Sequence, residues 1–271
     1  MEKYDIHIVG MGNLGTAFLS GFESLDLNIE LFLYDDSSDV REIIKNNYLK
    51  DTYDHIPSIE DGVLILCMKP QNIISFFDNN KENIGENVLV CSPVAGLEIG
   101  TIEQYLKNPI LRIMPNLLIR DNSGFIPFSS NYEEDYLSFI KNILNKLGTV
   151  KEFDESMFPI ITAISGSGPA WFYELSKQIV NSGFELGLRE EESEMIIKNL
   201  VNALPSLLND DETFNDLINK VKSPGGTTEA GLNSLDNNSF DKVIFEAMQK
   251  ATQRSIETVS YTHLTLPTKN E

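Results

Sequence analysis

Two short stretches carry residue types whose spacing could do chemistry. The first, Gly10-Met11-Gly12-Asn13-Leu14-Gly15, follows the apolar run Ile6-His7-Ile8-Val9 and opens a segment with apolar residues at helical spacing. A Gly-x-Gly-x-x-Gly between strand and helix suits a dinucleotide. Its first glycine permits the tight turn, its second lets the backbone approach a pyrophosphate, and its third lets the helix pack close to the strand. The helix start then offers free N–H groups and a partial positive charge to phosphate. A glycine-rich turn without a ligand is the plain alternative. About twenty residues past Gly15, Asp35 ends the run Ile29–Tyr34, where a carboxylate accepts from a ribose 2′-OH. With Asp36 beside it, Asp35 favours NADH over NADPH, although it could instead only cap the next helix. The second stretch is Ser223-Pro224-Gly225-Gly226-Thr227-Thr228. It sets two adjacent hydroxyls at a glycine-freed helix start. The ordinary reading is a turn and a cap, but a bare cap needs one such residue rather than all of them.

These residues need elements to hold them. From Tyr4 to about Lys151, β-rich runs alternate with amphipathic stretches. Strands are predicted at 6–9, 29–34, 62–68, 87–91, 110–114, 123–128 and 149–153. Helices are predicted in GNLGTAFLSGFESL, SSDVREIIKNN (with a serine cap), QNIISFF, TIEQYL and YLSFIKNILNKLG, which Gly148 stops. The alternation predicts an α/β fold, an N-terminal Rossmann-type doubly wound parallel sheet covered on both faces. After Asp154 the pattern changes. MFPIITAISGSGPAWFYELSKQIVNSGFELGL, EEESEMIIKNLVNALPSLL, TFNDLINKV and SFDKVIFEAMQKATQRSIETV all read as helices, so a C-terminal all-helical domain follows. The expected boundaries are 1–153 for the dinucleotide-binding domain and 154–259 for the helical domain. Residues 260–271 have no periodicity, read as non-native adapter sequence or a disordered tail, and are given no function.

Composition narrows the partners. The 271 residues carry a net charge of -20. So negative a surface repels nucleic-acid phosphates and anionic lipid, which argues against nucleic acid and membrane as partners. An anionic ligand needs a local pocket that overrides this field. Cys67 and Cys91 sit in apolar runs and read as buried thiols, outside any disulfide framework. His7, His55 and His263 share no ligand spacing, so no metal is expected. With neither a signal peptide nor a run of about 18 apolar residues, the expected location is cytoplasmic.

Further motifs stand in order along the chain: Met68-Lys69-Pro70-Gln71, Ser92-Pro93-Val94-Ala95-Gly96, Arg112-Ile113-Met114-Pro115-Asn116, Ser165-Gly166-Ser167-Gly168-Pro169-Ala170, and then SPGGTT. Each alone is soft. The ordered set, over residues 4 to 258, resembles the pyrroline-5-carboxylate reductase family. The resemblance implies a Rossmann domain and a helical domain that dimerises, giving a homodimer or a larger homo-oligomer. It also implies an NAD(P)H-dependent oxidoreductase that reduces the C=N bond of 1-pyrroline-5-carboxylate, a small imino acid, to L-proline in the last step of proline biosynthesis.

The resemblance places roles on residues. Thr228 matches the hydroxyl that orients the imine nitrogen, and is the catalytic candidate. Gly225 and Gly226 would expose N–H groups to the substrate carboxylate, with Ser223 and Thr227 as further contacts and Glu229 bonding back to the Gly226 N–H. Ser167 would shape the substrate side, although its SGSG stretch could equally serve close helix packing. Pro70 and Pro115 would fix the loops that flank the nicotinamide, Ala95 would let its ring approach, and Asn116 would hydrogen-bond the carboxamide or its supporting backbone. Met68, Lys69, Gly96 and Met114 would also bind the cofactor, while Lys69 could equally be a solvated strand-end lysine. The chain departs from the family pattern at Tyr34-Asp35-Asp36, Pro93 and Trp171, and it lacks a proline in DDETFNDL. Two rival readings are a related imine reductase or hydroxyacid dehydrogenase, and a catalytically silent dinucleotide-binding sensor. Lys177 stands in no motif of the hydroxyacid enzymes, and an intact SPGGTT weighs against the sensor.

Overall fold

In the computed structural model, which describes residues 4–132, 134–208 and 211–264, the alternating runs of the first half form one eight-stranded sheet. The elements are β1 (Tyr4–Val9), α1 (Asn13–Glu23), β2 (Ile29–Tyr34), α2 (Ser38–Tyr48), β3 (Thr52–Tyr53), β4 (Val63–Leu66), α3 (Ile73–Asn80), β5 (Leu89–Ser92), α4 (Ile99–Ile102), β6 (Ile110–Ile113), β7 (Gly124–Ser130), α5 (Glu134–Leu147) and β8 (Gly148–Glu152). The strand order is β3-β2-β1-β4-β5-β6-β7-β8. The order reverses beside β1, so the turn after β1 opens at the switch point of the sheet, where α/β folds gather ligands.

Six of the strand pairs are parallel and β6–β7 is antiparallel. The sequence reading treated the whole sheet as parallel. Between Ile113 and Gly124 the chain has only a 3₁₀ turn, Leu117–Asp121, too short for a crossover, so the strand returns antiparallel. Helix α5 then supplies the crossover that makes β8 parallel to β7. Two more expectations shift. TIEQYL is helical only in the single turn of α4, and the tiny strand β3 was not foreseen.

Both faces of the sheet are sealed. Along β4, Val63 and Ile65 enter one core cluster, and Leu64 and Leu66 enter the other, the period-two pattern of a strand buried on both sides. Phe18 and Phe22 of α1 and Ile140, Leu144 and Leu147 of α5 fill the first cluster. Ile73 and Phe77 of α3 and Ile99 and Ile102 of α4 fill the second. Each fully buried side chain of this size contributes roughly 1.5–3 kcal/mol.

The contacts divide the chain into two compact units. One holds the sheet, runs to Gly166 and takes up the chain again from Ala251; the other is Ser167–Lys250. After the sheet come α6 (Phe158–Ile161), a π-helical turn at Thr162–Gly166, α7 (Gly168–Glu185), α8 (Glu190–Ala203), α9 (Phe214–Val221), α10 (Thr227–Asn237) and α11 (Phe240–Leu264). Local capping sets several starts. At α9 the Asp216 N–H donates to Thr213 Oγ1 at 3.3 Å, and the Thr213 N–H donates to the Asp216 carboxylate at 2.9 Å, a reciprocal cap. At α8 the Glu192 carboxylate accepts from the Arg189 N–H at 3.2 Å. Helix α11 runs through part of the tail from which no structure was expected. Nothing between Ser260 and Leu264 breaks a helix, and the first proline beyond is Pro267; residues 265–271 lie outside the described residues.

The helical unit buries little. Among the described residues of 167–250, only Gly168 and Ser193 are buried. Phe172, Phe214 and Phe245 are 71%, 77% and 66% exposed. No helix among the described residues is long and apolar enough to cross a membrane.

Candidate functional site

The glycine turn after β1 is fixed by three separate constraints. Gly10 has φ +92°, and a Cβ there would come within 2.7 Å of the Cys67 carbonyl oxygen, so a side chain would be both strained and crowded. A Cβ on Gly15 would collide with the Gly10 carbonyl, while a Cβ on Gly12 would meet nothing within 4 Å. The turn is therefore closed on its protein side and open on its outer side. Gly12 caps α1, and Asn13, Leu14 and Gly15 fill its first turn, where backbone N–H groups have no intrahelical acceptor. This is a cradle for an anion.

Asp35 ties this cradle to the end of β2. Its Oδ2 accepts the Met11 N–H at 2.7 Å and its Oδ1 accepts the Ser37 N–H at 2.9 Å. The next helix is capped by Ser37, whose hydroxyl accepts from the Val40 N–H. Arg41 Nη1 donates to the carbonyl oxygens of Asp35 and Asp36 at 2.8 and 3.0 Å. Met11 supports the turn from beneath, because its side chain is in the core and its N–H is held by Asp35.

A cavity of about 740 Å³ opens beside the turn, lined among others by Gly10, Gly12, Tyr34, Asp35, Asp36, Met68 and Lys69. Lys69 is exposed there at the start of the 3₁₀ turn Pro70–Asn72. Asp54 and His55 also line this cavity, and sequence reasoning missed them. They follow β3, and a strand assigned there would have placed them at the same sheet edge. His55 Nδ1 lies 2.5 Å from Asp54 Oδ1, and this hydrogen bond holds the Asp54 carboxyl below its usual range. Beneath the cavity wall, the Tyr34 hydroxyl is 3.0 Å from His7 Nδ1. Burial pushes Tyr34 up to about 12 and lowers His7 from its ordinary value, so both favour their neutral forms. Burial likewise raises the Cys67 and Cys91 thiols.

The other predicted cofactor residues lie at neighbouring strand ends, outside the lining of this cavity. Ala95 is half-buried and Gly96 buried in a turn closed by the Leu97 N–H on the Val94 carbonyl at 3.2 Å. Met114 is half-buried and Pro115 buried after β6. Asn116 has a mainly architectural set of bonds. Its Oδ1 accepts from the N–H groups of Leu118 and Phe125, each at 3.3 Å, and its Nδ2 donates to Ser165 Oγ at 3.2 Å. The sequence reading turned this amide toward the carboxamide or its supporting backbone, and the bonds found are to the chain itself.

The second motif belongs to the helical unit. The Gly226 N–H donates to the Ser223 carbonyl at 3.0 Å, and Gly225 has φ +69°. With Pro224 second and Gly225 third, this is a type II turn, which needs a residue tolerant of positive φ at the third place. Glu229 bonds back as expected, but one residue earlier, with its carboxylate accepting the Gly225 N–H at 2.8 Å. The Gly226 N–H is spoken for by the turn, which is why Glu229 reaches past it. Both glycine amides expected to hold a carboxylate are thus engaged within the chain. The free donors are the N–H groups of Thr227, Thr228 and Glu229 in the first turn of α10. Among the described residues the Thr228 hydroxyl meets no acceptor, and the side chain is half-buried. Ser167 caps α7, its carbonyl accepting from Ala170 and Trp171.

A glycine cradle at the switch point of a mostly parallel sheet, joined in one chain to a helical unit with an anion-receptive, hydroxyl-bearing helix start, defines a dinucleotide-binding protein of the Rossmann class with a second, helical unit. Comparison with known proteins narrows the class. A family model described as "Pyrroline-5-carboxylate reductase dimerisation" matches residues 155–258. The pyrroline-5-carboxylate reductase of Staphylococcus haemolyticus strain JCSC1435 is 31% identical over 258 residues, covering 92% of this chain and 95% of that one. The Staphylococcus aureus strain COL protein of the same name is 30% identical over 259 residues, with the same coverage. Among solved structures, a Plasmodium falciparum pyrroline carboxylate reductase with NADP bound superposes with a TM-score of 0.82 at 27% identity, covering 96% of this chain and 99% of that one. The chain belongs to the pyrroline-5-carboxylate reductase family.

Proposed function

We propose that this chain is an NAD(P)H-dependent oxidoreductase that reduces the C=N bond of 1-pyrroline-5-carboxylate to L-proline, the last step of proline biosynthesis. The observation that carries the reading is the start of α10, where a turn locked by Glu229 leaves the first-turn amides and the Thr228 hydroxyl free together. The amides of Thr227, Thr228 and Glu229 hold the substrate carboxylate without an arginine, by partial charges that point one way. Thr228 Oγ orients the imine nitrogen. A hydroxyl can donate to or accept from that nitrogen, and so serves before and after reduction. Ser223 braces the turn, and Ser167 fixes the start of α7.

The glycine cradle suits a pyrophosphate, because Gly12 leaves room where a Cβ would otherwise project and the α1 amides face outward. Gly10–Gly15, Asp35, Met68 and Lys69 would hold the cofactor's adenosine and phosphate parts, and Pro70, Ala95, Gly96, Met114, Pro115 and Asn116 would frame its nicotinamide end. When bound, the nicotinamide supplies hydride to the C=N carbon. Asp35 and Asp36 on the cavity wall favour a ribose with a free 2′-OH, and hence NADH.

Residues 1–153 serve as the dinucleotide-binding domain and 154–259 as the substrate and dimerisation domain, with no role for 260–271. The exposed phenylalanines of the helical unit support a homodimer or larger homo-oligomer, and the net charge of -20 supports neither nucleic acid nor membrane as a partner. Two unpaired thiols fit a reducing, cytoplasmic location. The test is the oxidation of NADH and of NADPH by the purified chain with 1-pyrroline-5-carboxylate. Turnover with either is expected, and turnover with neither would refute the reading.

A further inference from the structure

The loops after β5 and β6 are joined by a group that belongs to neither. Glu155, in the 3₁₀ turn Glu155–Met157 beyond the sheet, places Oε1 at a junction. It accepts from Arg112 Nη1 at 2.6 Å and from the Ile99 N–H at 2.9 Å. Arg112 lies in β6 just before Met114 and is 3% exposed. Its guanidinium lies over the Phe158 ring at 4.6 Å. Across the ladder it pairs in register with Ser92, the last residue of β5, and both Arg112 Nε and Ser92 Oγ are buried without a partner. Glu155 is therefore the one carboxylate found on this buried cation among the described residues. A buried charge stripped of its partner is strongly destabilised, so its surroundings rearrange to reach water.

The position of this bridge gives it a role beyond packing. Ile99 closes the segment that begins with Ser92-Pro93-Val94-Ala95-Gly96, and Arg112 begins the one that ends at Met114-Pro115-Asn116. Asn116 pins the far end of the second segment to Ser165. One carboxylate thus bridges two loops that also meet through the ladder and through the packing of α4 and its preceding loop on β6.

We propose that Glu155, acting through Arg112 and the Ile99 N–H, is a positioning residue that fixes the separation of loops 92–99 and 112–116, and with it the geometry in which the reaction occurs. This deepens the reductase reading and rests on it. Glu155 touches neither substrate nor cofactor in this role. Its removal should spare the cradle at Gly10–Gly15 while loosening the two loops.

The test compares wild type, Glu155→Ala and Glu155→Gln. For Glu155→Ala, kcat with 1-pyrroline-5-carboxylate is expected to fall roughly 10- to 100-fold, the range for small misplacements of reacting groups. The Kd for NADH, read by fluorescence titration, should stay within about twofold, because the cradle at Gly10–Gly15 that would hold the pyrophosphate is untouched by Glu155. Independently of turnover, amide hydrogen exchange in the cofactor-free protein should speed up at 92–99 and 112–116 and not at 10–15. Glu155→Gln keeps an oxygen for the Ile99 N–H but leaves the Arg112 charge uncompensated, and should recover only part of the loss. Wild-type kcat and exchange in Glu155→Ala would overturn the proposal, as would a parallel loss of kcat and NADH affinity. Should Glu155→Ala unfold, Glu155→Gln and Arg112→Lys carry the same comparison, and wild-type kcat and exchange in both overturn it equally. An inactive wild type would instead sink the reductase reading.

Discussion

The sheet unit and the helical unit treat the same kinds of side chain in opposite ways. In the sheet unit, Phe18, Phe22 and Phe77 are sealed beneath helices on both faces of the sheet. In the helical unit, Phe172, Phe214 and Phe245 stand open. So many large apolar side chains left exposed in one unit mark surface made to be covered. The sheet unit therefore carries its stability within itself. In the proposed homo-oligomer, the helical unit would draw stability from association and inherit a dependence on protein concentration.

That contrast can be broken by experiment. Phe77→Ala should cost about 3–5 kcal/mol, the usual range for a buried phenylalanine. Thermal unfolding should show a lowered Tm whose size does not change on dilution. Phe172→Glu should cost less, about 2 kcal/mol or more if Phe172 anchors the interface, and the loss should appear as dissociation in sedimentation velocity and grow on dilution. A wild type that stays monomeric at all concentrations would break the comparison outright.

Smaller effects sharpen it. Asp35→Asn should raise the NADPH-to-NADH ratio of kcat/KM about tenfold by removing one repulsion of a 2′-phosphate, while the oligomeric state stays unchanged. An unaltered ratio would remove Asp35 from cofactor choice. The smallest effect concerns His7. Its pKa is lowered below the ordinary 6.5, chiefly by burial and against the pull of Asp5 and Asp61. Between the lowered value and 6.5 the unfolded chain binds more protons than the folded one, so stability rises with pH across that window and is lost as pH falls through it. The Tm of the sheet unit should fall as the pH drops below 6.5, and His7→Phe should flatten that slope.

The sequence was most legible where local pattern and tertiary burial agree. Ile29–Tyr34 became β2 unchanged, and the serine cap of α2 and the start of α10 at Thr227 stood where their residue types put them. Other features depend on contacts that no local pattern encodes. Thr52–Tyr53 is two residues at a sheet edge, too short for a periodicity. The reversed direction of β7 follows from a connection length, and amphipathic spacing does not give direction. The helical unit's apolar stripes read the same whether a core or a second surface covers them. In the site, the glycine turn was legible because Gly10 and Gly15 answer local steric demands, while Gly12 leaves the outer side open. The engagement of the Gly225 amide by Glu229 was missed by one residue, because a type II turn had already taken the Gly226 amide. Glu155 was invisible, since its partners Arg112 and Ile99 lie 43 and 56 residues away.

The most direct measurement of the central claim is steady-state oxidation of NADH with 1-pyrroline-5-carboxylate by wild type and Thr228→Ala, alongside the Kd for NADH. The account predicts wild-type turnover, a drop in kcat of about 100-fold or more in the variant, as for loss of a positioned proton-handling group, and an unchanged Kd. Equal turnover in the two proteins would contradict it, because the free hydroxyl at the start of α10 would then have no part in the reaction.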